Sequence, residues 1–527
     1  MPRRTLPCAL GLLLLFGSHA LADEGARPAA LLTRIDDGDR LETGTPESAL
    51  TLLKPVPVLV PPAPTAIPVR LDPDTRFQTV HGLGAAMTDA SASLLVRLKA
   101  RDPARYDQTM KRLFDPTHTQ GAGLSVLRLP IGTSDFAATG HAATYCDTPS
   151  PNLAAAFSIA IDEPHVIPAL KDALALNPQI KLLGSPWSPP AWMKTNGQLE
   201  GITPQEKAAG ATNRLRPEMF DTYAEYFVRF VEAYRDHGLT IWGVTLQNEP
   251  QFDAARYPCL RMDEADQIRL VAALGPKLRA RGLDTRIFIH DHNWVLHPND
   301  RKPVGGDQKL DPLDSVTAIL ADPAAGPHIA GTAWHGYSGD DRQMAHVYDT
   351  LRQRFPDRDL LFTELSGWGR HRGPWWGDLA WGLARPWLGG FLHGQTMALE
   401  WNLALDDRFG PSLRDDSEGL GLATIAGLDA PDAHAPVTVT YQREFYAMAQ
   451  VSRAARPGWT RIQATTDAQA LDVLAFTAPD RSQCSLVVFN RSAEPRSIRV
   501  ECGPMPPFGL DLPARSLATL TREISQP

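Results

Sequence analysis

Eight short apolar runs, each ending in a polar or glycine-rich tip, recur along most of this chain. They lie at 79–84, 124–132, 180–186, 240–250, 285–293, 329–337, 360–367 and 395–405. Amphipathic stretches separate several of them, most clearly 217–237, 262–281 and 341–355. Eight such alternations are what a (β/α)8 TIM barrel requires, with the C-terminal ends of the strands forming the active face. A doubly wound open sheet is the competing arrangement, but no glycine-rich phosphate loop opens its first helix. Beyond about Val437 the rhythm changes to short strand candidates at 459–465, 470–478, 484–490, 496–502 and 516–522, with almost no helical period. These predict an accessory antiparallel β-sandwich. Pro55, Pro57, Pro61, Pro62, Pro64 and Pro68 interrupt any helix upstream of the barrel, and 67–71 alternates like a strand. The sandwich is therefore expected to be built from both chain ends. The expected divisions are a signal at 1–22, an N-terminal segment at 23–75 that adds strands to the sandwich, the barrel at 76–436 and the C-terminal sandwich at 437–527.

The first 22 residues read as an export signal, with Arg3 and Arg4 as a basic head, an apolar core from Cys8 to Gly17, and Ala20-Leu21-Ala22 as a cleavage site. A membrane anchor needs about 20 apolar residues, roughly twice what is present. A secreted or periplasmic protein with no transmembrane segment is expected. With 52 basic against 60 acidic residues the chain carries a net charge of −8, and no long basic run offers a face for nucleic acid. Four cysteines lie beyond the signal, without a CxxC pair that would suggest a metal clip. Cys484 and Cys502 flank a turn-like stretch at 490–495 at equal distances. In a hairpin they would be cross-strand neighbours, within disulfide range; two buried thiols are the alternative.

Chemistry concentrates at the strand tips. The fourth run ends in Gln247-Asn248-Glu249-Pro250 and the seventh in Phe362-Thr363-Glu364-Leu365, two carboxylates that each follow an apolar run. A buried glutamate is costly unless it is paired or does work, and paired carboxylates are the minimal equipment for hydrolysing a glycosidic bond. A surface glutamate at a helix start is the plain alternative for either. The third run continues into a proline-held aromatic segment, Ser185-Pro-Trp-Ser-Pro-Pro-Ala-Trp-Met-Lys-Thr-Asn-Gly197, and the eighth reaches Glu400-Trp401-Asn402. Indole faces stack on sugar rings while amides and carboxylates bind hydroxyls, although any single tryptophan can equally be core. The fifth tip, His290-Asp291-His292-Asn293, places two histidines where a strand would give them one face. No His-x-His on the first run completes a barrel metal cluster, so no metal or cofactor is expected.

Together with Gly82-Leu-Gly-Ala-Ala-Met-Thr-Asp-Ala90, Leu127-Arg-Leu-Pro-Ile-Gly-Thr-Ser-Asp-Phe136 and Trp334-His-Gly-Tyr337, these motifs resemble glycoside hydrolase family 30, most of all its glucosylceramidase branch. The likeness covers most of the chain; Leu83 and Leu246 depart from the family pattern without removing a functional group. It implies a retaining hydrolase of β-linked sugars. Glu249 matches the general acid/base, Glu364 the nucleophile and Asn248 the residue that binds the sugar 2-hydroxyl. Arg128 and Tyr337 match groups that orient the nucleophile. Asp135, Trp187 and Trp401 match the wall of the sugar pocket, with His335 at its edge. The implied substrate is a β-linked glucoside, glycolipid or oligosaccharide; a β-1,6-glucanase or β-xylosidase on the same scaffold, or a secreted carbohydrate-binding protein without activity, are the alternatives.

Overall fold

A computed structural model describes residues 29–34, 51–150, 152–297, 311–367, 382–414, 417, 419–432, 434–503 and 505–524. The expected signal at 1–22 lies outside them. Among the described residues no helix is long and apolar enough to cross a membrane.

Eight parallel strands close into a barrel in chain order: Gly82–Ala86, Val126–Pro130, Lys181–Ser185, Ile241–Thr245, Arg286–Asn293, Ile329–His335, Asp359–Glu364 and Met397–Glu400. The last pairs with the first through Met397–Gly82 and Ala398–Leu83. Helices outside the barrel and packed side chains inside bury both faces of each strand, which is why the strands read as continuous apolar runs. Val126–Pro130 and Gly82–Ala86 are buried at every position. Gly84 is required where it stands, because a Cβ there would lie 1.8 Å from the carbonyl oxygen of Val126 on the neighbouring strand.

The three expected amphipathic stretches form Phe220–Asp236, Glu264–Ala280 and Asp341–Arg354. Their ends follow local chemistry. The Asp263 side chain accepts the Asp266 N–H at the start of the second, and Asp340 and Gln343 form a capping box at the start of the third.

The second unit is a nine-stranded sheet that takes Ala29–Arg34, Thr51–Pro57 and Ile67–Thr79 from the N-terminal side and six strands from Thr460 onward. Its pairings are antiparallel but for one: Arg496–Cys502 runs parallel to Ile67–Thr79. A parallel pair needs a long crossover, and here the whole barrel supplies it.

Two expectations fail in this region. Residues 484–490 and 496–502 do not form a hairpin: Gln483–Asn490 pairs with Leu471–Thr477 and Ser516–Glu523, while Arg496–Cys502 pairs with Phe508–Leu512 and Ile67–Thr79. Long-range partners thus occupy both edges of each strand. Cys484 and Cys502 still meet, inside the same apolar cluster, but as free thiols with sulfurs 3.9 Å apart rather than as a disulfide. The other difference is a helix, Arg443–Ala454, between Val437 and the first strand candidate at 459, in a region expected to show almost no helical period. Of its residues only Arg453 is not buried; Arg443, Glu444, Gln450 and Ser452 are polar yet enclosed, so the polar positions do not mark a water-facing side. It packs between the first barrel strand and the sandwich strands Ser516–Glu523, Gln483–Asn490 and Ala29–Arg34. Gln450 Nε2 donates to Thr33 Oγ1 at 2.9 Å and Thr519 Oγ1 donates to Gln450 O at 3.0 Å, tying the two units together.

Gly84→Ala tests the barrel closure: the added methyl should destabilise the fold by about 3 kcal/mol, the upper end for overpacking, read as a lower urea midpoint at unchanged m-value.

Candidate active site

The second to the eighth barrel strands deliver the polar residues, most of them at or just beyond their C-terminal ends. Glu364 is the last residue of the seventh strand and is buried. Its Oε2 accepts from Arg128 Nη1, and its Oε1 accepts the Tyr337 hydroxyl at 3.0 Å. Glu249 follows the fourth strand in a left-handed conformation, φ 48°, which a side-chain-bearing residue adopts only when its surroundings hold it there. Part of what holds it is a bond from its N–H to the carbonyl of Asp291, 3.0 Å long. The side-chain oxygens of Glu249 and Glu364 approach within 4.8 Å of one another, and a nitrogen of His335 lies within the same limit of each.

Arg128, fully buried on the second strand, organises the floor. Besides Glu364 it donates through Nη2 to Asn248 Oδ1 at 2.7 Å, Asp291 Oδ2 at 2.9 Å and Ser185 Oγ at 3.2 Å. Burial works against its charge, but Asp291 and Glu364 outweigh that and raise its proton affinity further. Its guanidinium also lies 4.9 Å from the ring centre of Trp187 and 5.5 Å from that of Trp401. The two indoles stack on each other, centres 5.0 Å apart and planes 24° from parallel. They form one cluster with Phe136 and Tyr257. Tyr257 accepts from Trp187 Nε1 at 2.7 Å and from Asn248 Nδ2 at 3.2 Å.

Asp135 stands in the loop after the second strand, nearly buried, where burial and then the charge of Glu364 push its carboxyl up to about 7. Its Oδ1, together with Gln247 Oε1 and Asn402 Nδ2, has no hydrogen-bond partner among the described residues. Buried polar atoms are rarely left so, except in sites built to receive polar ligands.

Two placements differ from expectation. His335 is not at the edge: it is fully buried, with Nδ1 3.4 Å from Glu249 Oε1, Nε2 3.2 Å from Asp291 Oδ1 and 3.9 Å from Glu364 Oε2. Burial lowers its proton affinity, but Glu364, Asp291 and Glu249 reverse this and raise its pKa to about 9. The strand is not regular between His290 and His292, because His290 and Asp291 adopt φ 77° and 55° and the register with the next strand slips there, and the two rings lie 6.2 Å apart. His290 packs on Trp334 at 4.5 Å and burial lowers it to about 4, while His292 Nε2 lies 3.7 Å from Glu249 Oε1.

The residue that the sequence did not single out is Asp291. It lies between those histidines, and it accepts from Arg128, Ser185, Thr245, Thr363 and His335. The available signal was an aspartate in a strand whose positions after Arg286 are all buried, which is tolerated only with several donors.

A family model described as the glycosyl hydrolase family 30 TIM-barrel domain matches residues 80–453, and one described as the family's beta sandwich domain matches residues 458–520. The chain is 27% identical to the lysosomal acid glucosylceramidase of Mus musculus over 446 residues, 82% of this chain and 78% of that protein. It is 29% identical to an endo-1,6-beta-D-glucanase of Neurospora crassa over 440 residues, 81% of this chain and 82% of that protein. The solved structure of an endo-β1,6-glucanase superposes with a TM-score of 0.77 at 28% identity, covering 95% of this chain and 100% of the other.

The charge on His335 has a stability signature. Its folded pKa of about 9 lies above the ordinary 6.5, so its contribution is complete below about pH 6.5 and is lost as pH rises through 9. Unfolding free energy measured by urea titration should therefore fall more steeply across that window in the wild type than in His335→Gln.

Proposed function

Because the chain belongs to glycosyl hydrolase family 30, we propose that this glycoside hydrolase is a retaining β-glycosidase that cleaves β-glucosidic linkages by double displacement. The proximity of the Glu249 and Glu364 oxygens, within 4.8 Å, carries this reading. Retaining enzymes hold their carboxyl groups about 5–5.5 Å apart, whereas inverting enzymes leave about 6.5–9.5 Å for a water.

In the first step Glu364 attacks the anomeric carbon as the bond to the leaving oxygen breaks, and that oxygen takes the proton of Glu249. Water then attacks the same carbon from the opposite face, its proton passes to Glu249, and the Glu364 carboxylate is released. Arg128 and Tyr337 orient Glu364 through one donor to each oxygen. Asn248, fixed by Arg128 and Tyr257, is placed to bind the 2-hydroxyl, a contact that strengthens as positive charge develops on the ring. Trp401, backed by the fully buried Trp187, is the sugar wall in this reading, and Asp135 offers a hydroxyl acceptor.

The proposed catalytic unit is the barrel at 76–436, accompanied by the sandwich from 23–75 and 437–527. Residues 1–22 direct export to the periplasm or the medium.

The substrate is a glucosylceramide-like or simple β-glucoside. A second reading, endo-acting cleavage of β-1,6-glucan, is favoured by the endo-1,6-glucanases among the relatives and the solved structures. Both place a β-glucosyl unit at the carboxylate pair.

Three results test these assignments. Glu364→Ala should lose about 10⁴-fold or more in kcat on an aryl β-glucoside, and undiminished turnover would remove the nucleophile from it. Glu249→Ala should regain activity with azide only on substrates with a good leaving group, giving the β-glucosyl azide. Proton NMR at early times should show the β-anomer first; the α-anomer would mean inversion. A panel of aryl β-glucoside, aryl β-xyloside, β-1,6-glucan and glucosylceramide then separates the two substrate readings, and activity should survive dialysis against a chelator.

A further inference from the structure

We infer that Asp291 is a positioning residue for both catalytic carboxylates, orienting Glu364 through Arg128 and Glu249 through His335 and its own main-chain carbonyl. The inference rests on the reading of Glu364 as nucleophile and Glu249 as acid/base.

The carboxylate of Asp291 is fully buried and receives five donors. Oδ2 accepts from Arg128 Nη2 at 2.9 Å, Ser185 Oγ at 2.7 Å and Thr245 Oγ1 at 2.6 Å. Oδ1 accepts from Thr363 Oγ1 at 2.6 Å and pairs with His335 Nε2 at 3.2 Å. These donors come from the second, third, fourth, sixth and seventh barrel strands, so the one side chain of the fifth strand gathers most of the ring. Five donors more than fill the roughly four lone-pair sites of an ionised carboxylate, and no neutral side chain of the same size could accept as many. Burial alone would raise its pKa, but Arg128, His335 and Thr245 overturn this and hold it well below the usual carboxylate range.

Its position follows from the backbone. Left-handed conformations at His290 and Asp291 and the slipped register after His290 make a bulge in the strand there, and pairing resumes at His292. The same kink presents the Asp291 carbonyl to the N–H of Glu249, which is itself left-handed. Asp291 therefore meets Glu249 by two routes, one through main chain and one through His335 Nδ1. It meets Glu364 through Arg128, whose two Nη atoms divide between the carboxylates. Asp291 belongs to neither the stacking wall nor the acid/base pair, and its carboxylate is fully engaged with protein donors. Its effect is on where the reacting oxygens stand.

Asp291→Asn removes the charge and sets an NH2 group against donors. Two readouts separate positioning from loss of fold. The rate at which an activated 2-fluoroglucoside labels Glu364, followed by intact mass, reports the nucleophile alone. The ratio of kcat/KM for dinitrophenyl and phenyl β-glucosides reports proton donation by Glu249. We expect labelling to slow on the order of 100-fold, the cost of a misplacement near 1 Å. The preference for the better leaving group should grow as well, with the melting curve still cooperative.

Thr363→Val and Ser185→Ala each remove one donor and are expected to slow labelling about tenfold, the worth of one hydrogen bond to a charged group. Wild-type labelling and leaving-group dependence in folded Asp291→Asn would overturn the proposal. If that variant is insoluble, wild-type behaviour in both donor variants would do the same. Label found on a residue other than Glu364 in the wild type would instead sink the assignment of the nucleophile, which keeps the two failures distinct.

Discussion

A guanidinium enclosed in a barrel has no water to carry its charge, and Arg128 is enclosed completely. Leaving such a group unpaired costs several kcal/mol, and removing one partner of a buried pair typically costs about 3–5 kcal/mol. Asp291 and Glu364 supply the two opposing charges, and Asn248 and Ser185 take further donors. Those acceptors come from different strands, so the two Nη groups are satisfied only when the strands stand in the correct register, while Nε has no partner among the described residues. The site is thus paid for by the closure of the fold. The indole pair above the guanidinium completes its surroundings, because a π face interacts favourably with a cation that water cannot reach.

His335 is the second cation of this network. It touches Glu249, Asp291 and, at longer range, Glu364, and those neighbours keep it protonated despite complete burial. Two cations threaded between acidic groups let carboxylates sit close together in a low-dielectric interior where mutual repulsion would otherwise part them. The backbone contributes as well. Glu249, His290 and Asp291 occupy left-handed conformations within one hydrogen-bonded junction, a concentration of strain that a packed barrel end can sustain and an isolated loop cannot.

Much of the arrangement was legible in the order of residues. Parallel strands buried on both faces must be apolar throughout, so the eight runs stood out, and their polar ends marked the active face before any coordinates. The paired glutamates were visible because each terminates such a run. The helix Arg443–Ala454 was not, since its polar residues Arg443, Glu444, Gln450 and Ser452 are buried against neighbouring elements rather than turned to water. The supposed hairpin at 484–502 misled for a different reason: a turn-like connection between two strands says nothing about whether other strands lie between them, and here both strands found partners from far along the chain. Asp291 was overlooked because its neighbours are histidines, which suggest metal, and because its five donors are scattered from residue 128 to residue 363.

The sequence by itself determined the barrel, the sandwich fed from both chain ends and the glutamates at the ends of the fourth and seventh runs, because apolar periodicity and strand-end chemistry are local properties. Only the tertiary structure decided that His335 lies between the carboxylates rather than at the pocket edge, that Cys484 and Cys502 face each other without a bond, and that Asp291 is the common acceptor beneath the site. Each of these depends on which distant segments meet inside the closed barrel and sandwich. Such meetings are set by register and burial summed over the whole fold, and no window of sequence contains them.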